Sequence, residues 1–441
     1  MNLYPHQEKA LEESKGLSRV AYYWDMGLGK TFAGGEKLKQ LGANVNLVVC
    51  QKSKVQDWMD HLTKYYSYPG NIESGCYPYS VIDLTKAKRG YFSDDESFIT
   101  DGASLLAGQR IYVINYDLIW RRKEILNLKN FTLLLDESSL IQNGTAQRSK
   151  FILKLNPLNV ILLSGTPVSG KYENLWTQIH LLGWPISEQL YNTQYVNWEK
   201  AETEEGLIFR RVNPENPYKN VDRLKSKLRE HGAFFLKTEE CFELPEQNFI
   251  PVYVPATKEY KHFRKEKVVM VNGETLVGDH VFKERLYSRQ LCGQYNPAKI
   301  QAFGDLLEST KDRLIVFYNF NEELNRLEWE AEKRFRPISM INGTIKDLTA
   351  YENQSDSVTF VQYQAGAMGL NLQKANKVIY FTLTDKSELF EQSKKRIHRI
   401  GQNKPCFYYL LICPHSVEEK ILATLEQRRD YTDELFKECE I

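Results

Sequence analysis

At 441 residues the chain is long enough for two or three domains with sizeable cores. Its 42% hydrophobic and 26% charged residues exclude a disordered, collagen-like or low-complexity chain, and 58 Lys and Arg against 57 Asp and Glu exclude a uniformly basic coat for nucleic acid, so any polyanion must be held in a local groove. No apolar run nears the ~18 residues of a membrane span, the first residues lack the form of a signal peptide, and seven scattered cysteines (Cys50, Cys76, Cys241, Cys292, Cys406, Cys413 and Cys439) fit a reduced cytoplasmic or nuclear protein rather than a disulfide scaffold or zinc ribbon.

In chain order, the apolar stretch Val20-Ala21-Tyr22-Tyr23 leads through a glycine-containing loop into a helix-like segment that reaches Leu41 and stops at Gly42. Short, nearly continuous apolar runs follow at Val45–Cys50, Ile111–Ile114, Leu133–Leu135 and Val160–Leu163. A second group lies at Leu314–Phe317, Val358–Val361, Val378–Phe381 and Tyr408–Ile412. Runs without polar alternation suit strands covered on both faces, and therefore parallel sheets with helices on each side. The stretch Gly70 to Gly108, with Ser93-Asp94-Asp95-Glu96, reads as a solvated insertion. Residues 191–296 are charged and aromatic and are expected to be a helical protrusion between a first lobe, 1–190, and a second, 297–441. The chain ends in a predicted helix: Ser416 with Glu419 forms a capping box, and Val417, Ile421, Leu422 and Leu425 share a face.

The strongest local signal is Trp24-Asp25-Met26-Gly27-Leu28-Gly29-Lys30-Thr31. Strand, loop and helix in this order are what a phosphate loop needs: glycines turn backbone N–H groups inward and the helix N-terminus adds partial positive charge. Gly27, Leu28 and Gly29 would line the cradle, Lys30 would reach the β- and γ-phosphates of ATP, and the Thr31 hydroxyl would bind Mg2+. Trp24 stands where the first glycine of the usual string falls. The partner signal is Leu133-Leu134-Leu135-Asp136-Glu137. Carboxylates at the end of a buried strand are costly without work or partners. Asp136 fits the Mg2+-holding role and Glu137 the polarising of an attacking water, against the plainer reading of a surface turn with two acids.

Along most of its length the text resembles the switch/sucrose-non-fermenting branch of superfamily 2 helicase-like DNA translocases. Leu3-Tyr4-Pro5-His6-Gln7 resembles the adenine-reading Q motif, and Asp25 to Thr31 is similar to motif I. Val48-Val49-Cys50-Gln51-Lys52-Ser53 with Trp58 resembles motif Ia. Asp136-Glu137-Ser138-Ser139 with Asn143 resembles motif II, with Ser139 in place of the usual histidine. Leu163-Ser164-Gly165-Thr166-Pro167, followed by Glu173-Asn174-Leu175-Trp176, resembles motif III. Val316 to Phe320 resembles motif IV, Ala365-Gly366-Ala367-Met368-Gly369-Leu370-Asn371-Leu372 motif V, and Gln392-Ser393-Lys394-Lys395-Arg396-Ile397-His398-Arg399-Ile400-Gly401-Gln402 motif VI.

The resemblance implies an α/β fold of two tandem RecA-like lobes clamping one ATP with Mg2+. Gln7 and Gly369 would help bind the nucleotide. Gln392, Arg396 and Arg399 would join Lys30, Asp136 and Glu137 in catalysis, the two arginines as fingers on the transferred phosphoryl group. A solvated basic helix face is the competing reading of Lys394 to Arg399. Ser139, Ser164, Gly165 and Thr166 would couple hydrolysis to motion, and without the motif II histidine the link to motif III either runs through the Ser138 or Ser139 hydroxyl or is weaker. Expected phosphate contacts to DNA are Lys52, Ser53, Lys54, Asn319, Gln364 and Gly366. Trp120, Tyr191, Tyr195 and Trp198 are either base-stacking or core residues. The implied function is an ATP-dependent double-stranded DNA translocase that remodels forks or branched DNA by branch migration, monomeric when free and without a membrane partner. An ATP-gated DNA switch, or a motor subunit of a restriction or remodelling complex, is the alternative.

Overall fold

The computed structural model describes residues 2–67, 79–87, 109–202, 206–366 and 370–437. The chain divides into two compact units, residues 1–241 with 430–441, and residues 242–429. The first expected lobe therefore extends past residue 190, and the end of the C-terminal helix belongs to it rather than to the second.

The first unit is built on the strands β1 (Arg19–Trp24), β2 (Val45–Cys50), β3 (Ser80–Asp83), β4 (Arg110–Asn115), β5 (Phe131–Asp136) and β6 (Asn159–Ser164). A separate antiparallel hairpin, β7 (Trp198–Glu202) and β8 (Ile208–Val212), precedes β9 (Ala233–Leu236). The sheet order is β3-β4-β2-β5-β6-β1-β9, with every pairing parallel. Central strands such as β5 and β6 are buried along nearly all their length, which is why they read as unbroken apolar runs. Helices Lys30–Leu41 and Val55–Tyr66 contribute Leu38, Trp58 and Leu62 as fully buried side chains. Gly42 stops the first of these helices in the left-handed conformation, its N–H bonding the Leu38 and Lys39 carbonyls. Residues 430–437 belong here because their side chains find first-unit partners. Leu435 is buried in its core, Lys225 pairs with Glu434 at 2.9 Å, and the Tyr172 hydroxyl donates to the Tyr431 carbonyl.

The second unit holds β10 (Gln247–Tyr253), the hairpin β11 (Val268–Val271) and β12 (Glu274–Val277), then β13 (Leu314–Tyr318), β14 (Ile338–Ile341), β15 (Lys346–Asp347), β16 (Val358–Gln362), β17 (Lys377–Tyr380) and β18 (Cys406–Ile412). Its sheet runs β10-β18-β17-β13-β16-β14-β15, parallel except for β15. The expected α/β architecture of two helix-flanked parallel sheets is present. The stretch 191–296 is not simply helical. It holds both hairpins, and its β9 and β10 complete the two sheets. Both were obscured in the sequence because β9 is four residues long and β10 is an edge strand of half-buried and exposed side chains.

Within the expected insertion 70–108, residues 80–83 form β3, while Ser93 to Glu96 lie outside the described residues. The capping of helix Val417–Phe436 is shifted from the expected box. Ser416 Oγ accepts from the Glu418 N–H and Glu419 reaches back to the His415 N–H, both at 3.0 Å, while Ile421 and Leu425 are buried as expected. Tyr191 and Tyr195 are core residues, whereas Trp198 is half-buried under the Arg210 guanidinium and Trp120 lies beside Arg121. Among the described residues no helix is long and apolar enough to cross a membrane.

Candidate active site

In the first unit the loop after β1 and the helix Lys30–Leu41 form the expected phosphate cradle. Gly27 and Gly29 both take positive φ (93° and 73°), conformations that favour glycine and aim successive N–H groups inward. Lys30 Nζ folds back onto its own loop, donating to the Trp24 carbonyl at 2.8 Å and the Asp25 carbonyl at 3.2 Å. Asp25 braces the loop from outside: its Oδ2 accepts from the N–H and hydroxyl of Thr238, just beyond β9. Gln7 is buried and its amide is engaged with the cradle. Nε2 donates to the Leu28 and Gly29 carbonyls and Oε1 accepts from the Tyr4 N–H, with His6 Nε2 also on the Leu28 carbonyl.

Asp136 and Glu137 stand at the C-terminal end of β5 in the same unit. Trp58 Nε1 donates to Asp136 Oδ2 at 2.8 Å and the Tyr116 hydroxyl to the Asp136 carbonyl at 2.9 Å. Burial raises the Asp136 carboxyl above its ordinary range, while the Trp58 hydrogen bond and the Lys30 charge oppose the shift. Glu137 takes the left-handed conformation (φ 52°), strained for a residue with a side chain and frequent at working sites. The Thr31 hydroxyl and the Asp136 carboxylate are hard oxygen donors, the set that suits Mg2+.

Motif III passes alongside. A Cβ on Gly165 would lie 3.4 Å from Lys30 Nζ and 3.3 Å from Met26 Cγ, so the motif III backbone packs closely against the Lys30 side chain. Ser164 Oγ accepts from the Thr166 N–H, and Thr166 Oγ1 is buried without a hydrogen-bond partner. Ser138 and Ser139 are both fully buried, and the Ser138 hydroxyl donates to Gln178 Oε1 at 2.7 Å. Gln178 and the Trp58 contact were missed in the sequence. A glutamine on a short helix carries no motif, and Trp58 was noted only as part of motif Ia. In motif Ia itself, Lys52 and Ser53 are exposed and Lys54 pairs with Asp57 at 2.7 Å.

In the second unit motifs V and VI are laced together. The Leu372 N–H bonds the Arg396 carbonyl, Arg399 Nη1 donates to Asn371 Oδ1, and Gln402 Nε2 donates to the Ala375 carbonyl at 2.8 Å. The helix Ser387–Lys394 ends before Arg396, and Lys394, Arg396 and His398 are buried, so the solvated-helix reading of this basic run fails. Desolvation lowers the Arg399 guanidinium from its ordinary value. Gln392 is buried, its Nε2 on Glu388. Asn319, an expected DNA contact, has its Nδ2 on the Thr382 hydroxyl at 2.9 Å and on the Thr382 carbonyl. Gln364 is exposed, Gly366 ends the short helix Tyr363–Gly366, and Gly369 and Ala367 lie outside the described residues.

A phosphate loop, an acidic strand end gripped beside it and two parallel-sheet units define a helicase-like P-loop protein. The chain belongs to the SNF2-related family: the SNF2-related domain matches residues 23–295, and the helicase conserved C-terminal domain matches residues 298–401. It is 24% identical over 454 residues to the ISWI chromatin-remodeling complex ATPase ISW1 of Saccharomyces cerevisiae, covering 92% of this chain and 37% of that protein. It is 22% identical over 476 residues to the ATP-dependent helicase YqhH of Bacillus subtilis, covering 96% and 78%. The SWI2/SNF2 ATPase core of Sulfolobus solfataricus, solved in complex with dsDNA, matches with a TM-score of 0.43 at 19% identity, over 98% of this chain and 92% of that one. The chain spans about 37–40% of the length of the chromatin-remodelling relatives from yeast and mouse.

Proposed function

We propose that the chain is an ATP- and Mg2+-dependent motor that translocates on double-stranded DNA and remodels forks or branched junctions. The observation that carries the enzymatic half is the adjacency in one unit of the Lys30 cradle, the gripped Asp136, the strained Glu137 and Gly165 against Lys30. Lys30 and the loop amides hold the phosphates. Thr31 and Asp136 hold Mg2+, which when bound neutralises charge on the phosphate oxygens. Glu137 orients and deprotonates the attacking water, and Gln7 with Gly369 holds the nucleotide. Gln392, Arg396 and Arg399 are assigned to the same reaction, the arginines stabilising charge that develops in the transition state.

DNA as the track is supported by family membership and by relatives named as helicases and chromatin-remodelling ATPases. Lys52, Ser53, Lys54, Gln364 and Gly366 are the phosphate contacts, and Asn319 joins them only if it releases Thr382. Phosphate contacts carry no base code. At a junction, moving along one arm re-pairs another, so broken base pairs are offset by formed ones. The same motor acting as a subunit of a larger assembly is a second reading, favoured by a relative named as the ATPase of a chromatin-remodeling complex.

ATPase assays with duplex, branched and single-stranded DNA and with RNA test the proposal. Duplex and branched DNA should stimulate hydrolysis, with affinity falling steeply as salt rises. Glu137→Gln should keep ATP binding and lower kcat by ~10²-fold or more. Stimulation by single-stranded RNA alone would refute the DNA reading, and wild-type turnover by Glu137→Gln would refute the base.

A further inference from the structure

Gln178 sits on the helix Trp176–Leu181 of the first unit and is fully buried. Its Oε1 accepts from the Ser138 hydroxyl at 2.7 Å and from the Tyr23 hydroxyl at 3.1 Å, and its Nε2 donates to the Pro167 carbonyl at 2.6 Å. The amide orientation is forced. A flipped side chain would set its oxygen against the Pro167 carbonyl oxygen, which has no proton to give. Burial raises the Tyr23 phenol, so it remains a donor at any working pH. One side chain therefore ties three segments around the phosphate cradle: β1, which leads into it; Ser138, next to the strained Glu137; and Pro167, next to Thr166 of motif III.

Ser139 stands where the family resemblance expects a histidine, and beside it Gln178 spans from the Ser138 hydroxyl to the Pro167 carbonyl. We propose that Gln178 is the positioning residue that joins motif II to motif III in this chain, so that displacement of the Glu137-Ser138 segment during turnover is passed through one amide to Pro167 and Thr166. The inference rests on the motor reading above, since what it positions is the hydrolytic segment. Both bonds of the relay are buried, where partner loss leaves an unmet polar group rather than a hydrated one.

The test compares ATP hydrolysis by the full chain with and without duplex DNA, at pH 6 and pH 8.5, alongside the melting temperature. Gln178→Leu should lower the ratio of DNA-stimulated to unstimulated kcat by about 2- to 30-fold at both pH values, the range expected when a coupling element is cut. Ser138→Ala should lower it in the same direction. Gln178→Glu is the decisive variant. An ionised carboxylate still accepts from Ser138 and Tyr23 but cannot donate to Pro167, whereas the protonated acid can. Burial raises such a carboxyl. Its ratio should therefore be low at pH 8.5 and recover toward the wild-type value at pH 6, a response that loss of packing would not produce. If Gln178→Leu fails to fold, this pH response alone decides. A Gln178→Glu ratio that tracks the wild type at both pH values would overturn the relay while leaving the motor reading intact. A wild-type chain unstimulated by DNA would remove both.

Discussion

The second unit buries a complete ion pair, and cutting it is the sharpest available test of how that unit is held. Lys299 Nζ lies 2.5 Å from Glu418 Oε1, with the two side chains 0% and 2% exposed. Glu418 Oε2 accepts from the Cys413 N–H, and Cys292, Cys413 and Glu418 gather ligand atoms within 4.8 Å, so Lys299 is the cation at a place where a metal could otherwise sit. Burial alone would lower the Lys299 ammonium, but the Glu418 charge and hydrogen bond hold it above its ordinary value. Its stabilising contribution is therefore present at neutral pH and lost only as the pH rises through that raised value. Lys299→Met strands the Glu418 carboxylate, which must take a proton to stay buried. Raising a carboxyl from an ordinary value near 4.3 to neutrality costs about 4 kcal/mol at pH 7.5, at 1.36 kcal/mol per unit, which agrees with the ~3–5 kcal/mol lost when one buried partner is removed. The deficit should shrink to about 1 kcal/mol at pH 5. Pairing Lys299→Met with Glu418→Leu should restore most of it, since an apolar replacement of both partners is often neutral. Hydrogen exchange of the helix Pro297–Glu308, read by mass spectrometry, isolates this unit from the other. A loss below about 1 kcal/mol at pH 7.5, or a loss that does not change with pH, would refute the reasoning.

Three further outcomes follow from the geometry. Glu323 is fully buried, accepts from the Asn319 and Phe320 N–H groups and the Thr382 hydroxyl, and is pushed up by burial to about 7. Between the unfolded value and 7 the native state holds the extra proton. Stability should therefore fall by on the order of 3 kcal/mol as pH rises from 4.5 to 7, and Glu323→Gln should flatten that slope in urea titrations. Trp58→Phe keeps the ring packing but removes the donor to Asp136. Metal affinity should drop ~10–100-fold, as measured by Mn2+ paramagnetic resonance on the nucleotide complex, with nucleotide binding in chelator unchanged. Arg399→Lys should not restore the turnover lost in Arg399→Ala, because a point charge lacks the planar fork; steady-state kinetics at saturating ATP and DNA reads this directly.

What was readable in the sequence follows the burial of each segment. Strands such as β2, β5 and β13 have both faces covered, so they appear as apolar runs that no other element imitates. β9 and β10 sit at sheet edges, and the two hairpins are short and largely exposed, so the same reading mistook their surroundings for helix. The phosphate loop was legible because backbone geometry demands glycine at particular steps. The side chains that grip the site were not legible. Trp58 acts through one hydrogen bond on Asp136 and Gln178 through three, on Ser138, Tyr23 and Pro167, and no local pattern records such pairings. The motif VI arginines were legible only through their motif. Their charge suggests solvent, but the turn after Lys394 folds them against motif V.

The sheet order of the first unit also sets a timetable for its synthesis. β1 leaves the ribosome before its neighbours: β6 and β9 come from roughly 140 and 210 residues further on. At ~5–20 residues per second, β1 waits about 10–40 s for its last partner. The nucleotide cradle begins at the end of β1, and its brace on Asp25 comes from Thr238, beyond β9. The nucleotide cradle therefore gains its brace only after β9 is made, and in the meantime the Val20–Trp24 strand is an unpaired apolar edge that the nascent chain must keep from wrong partners.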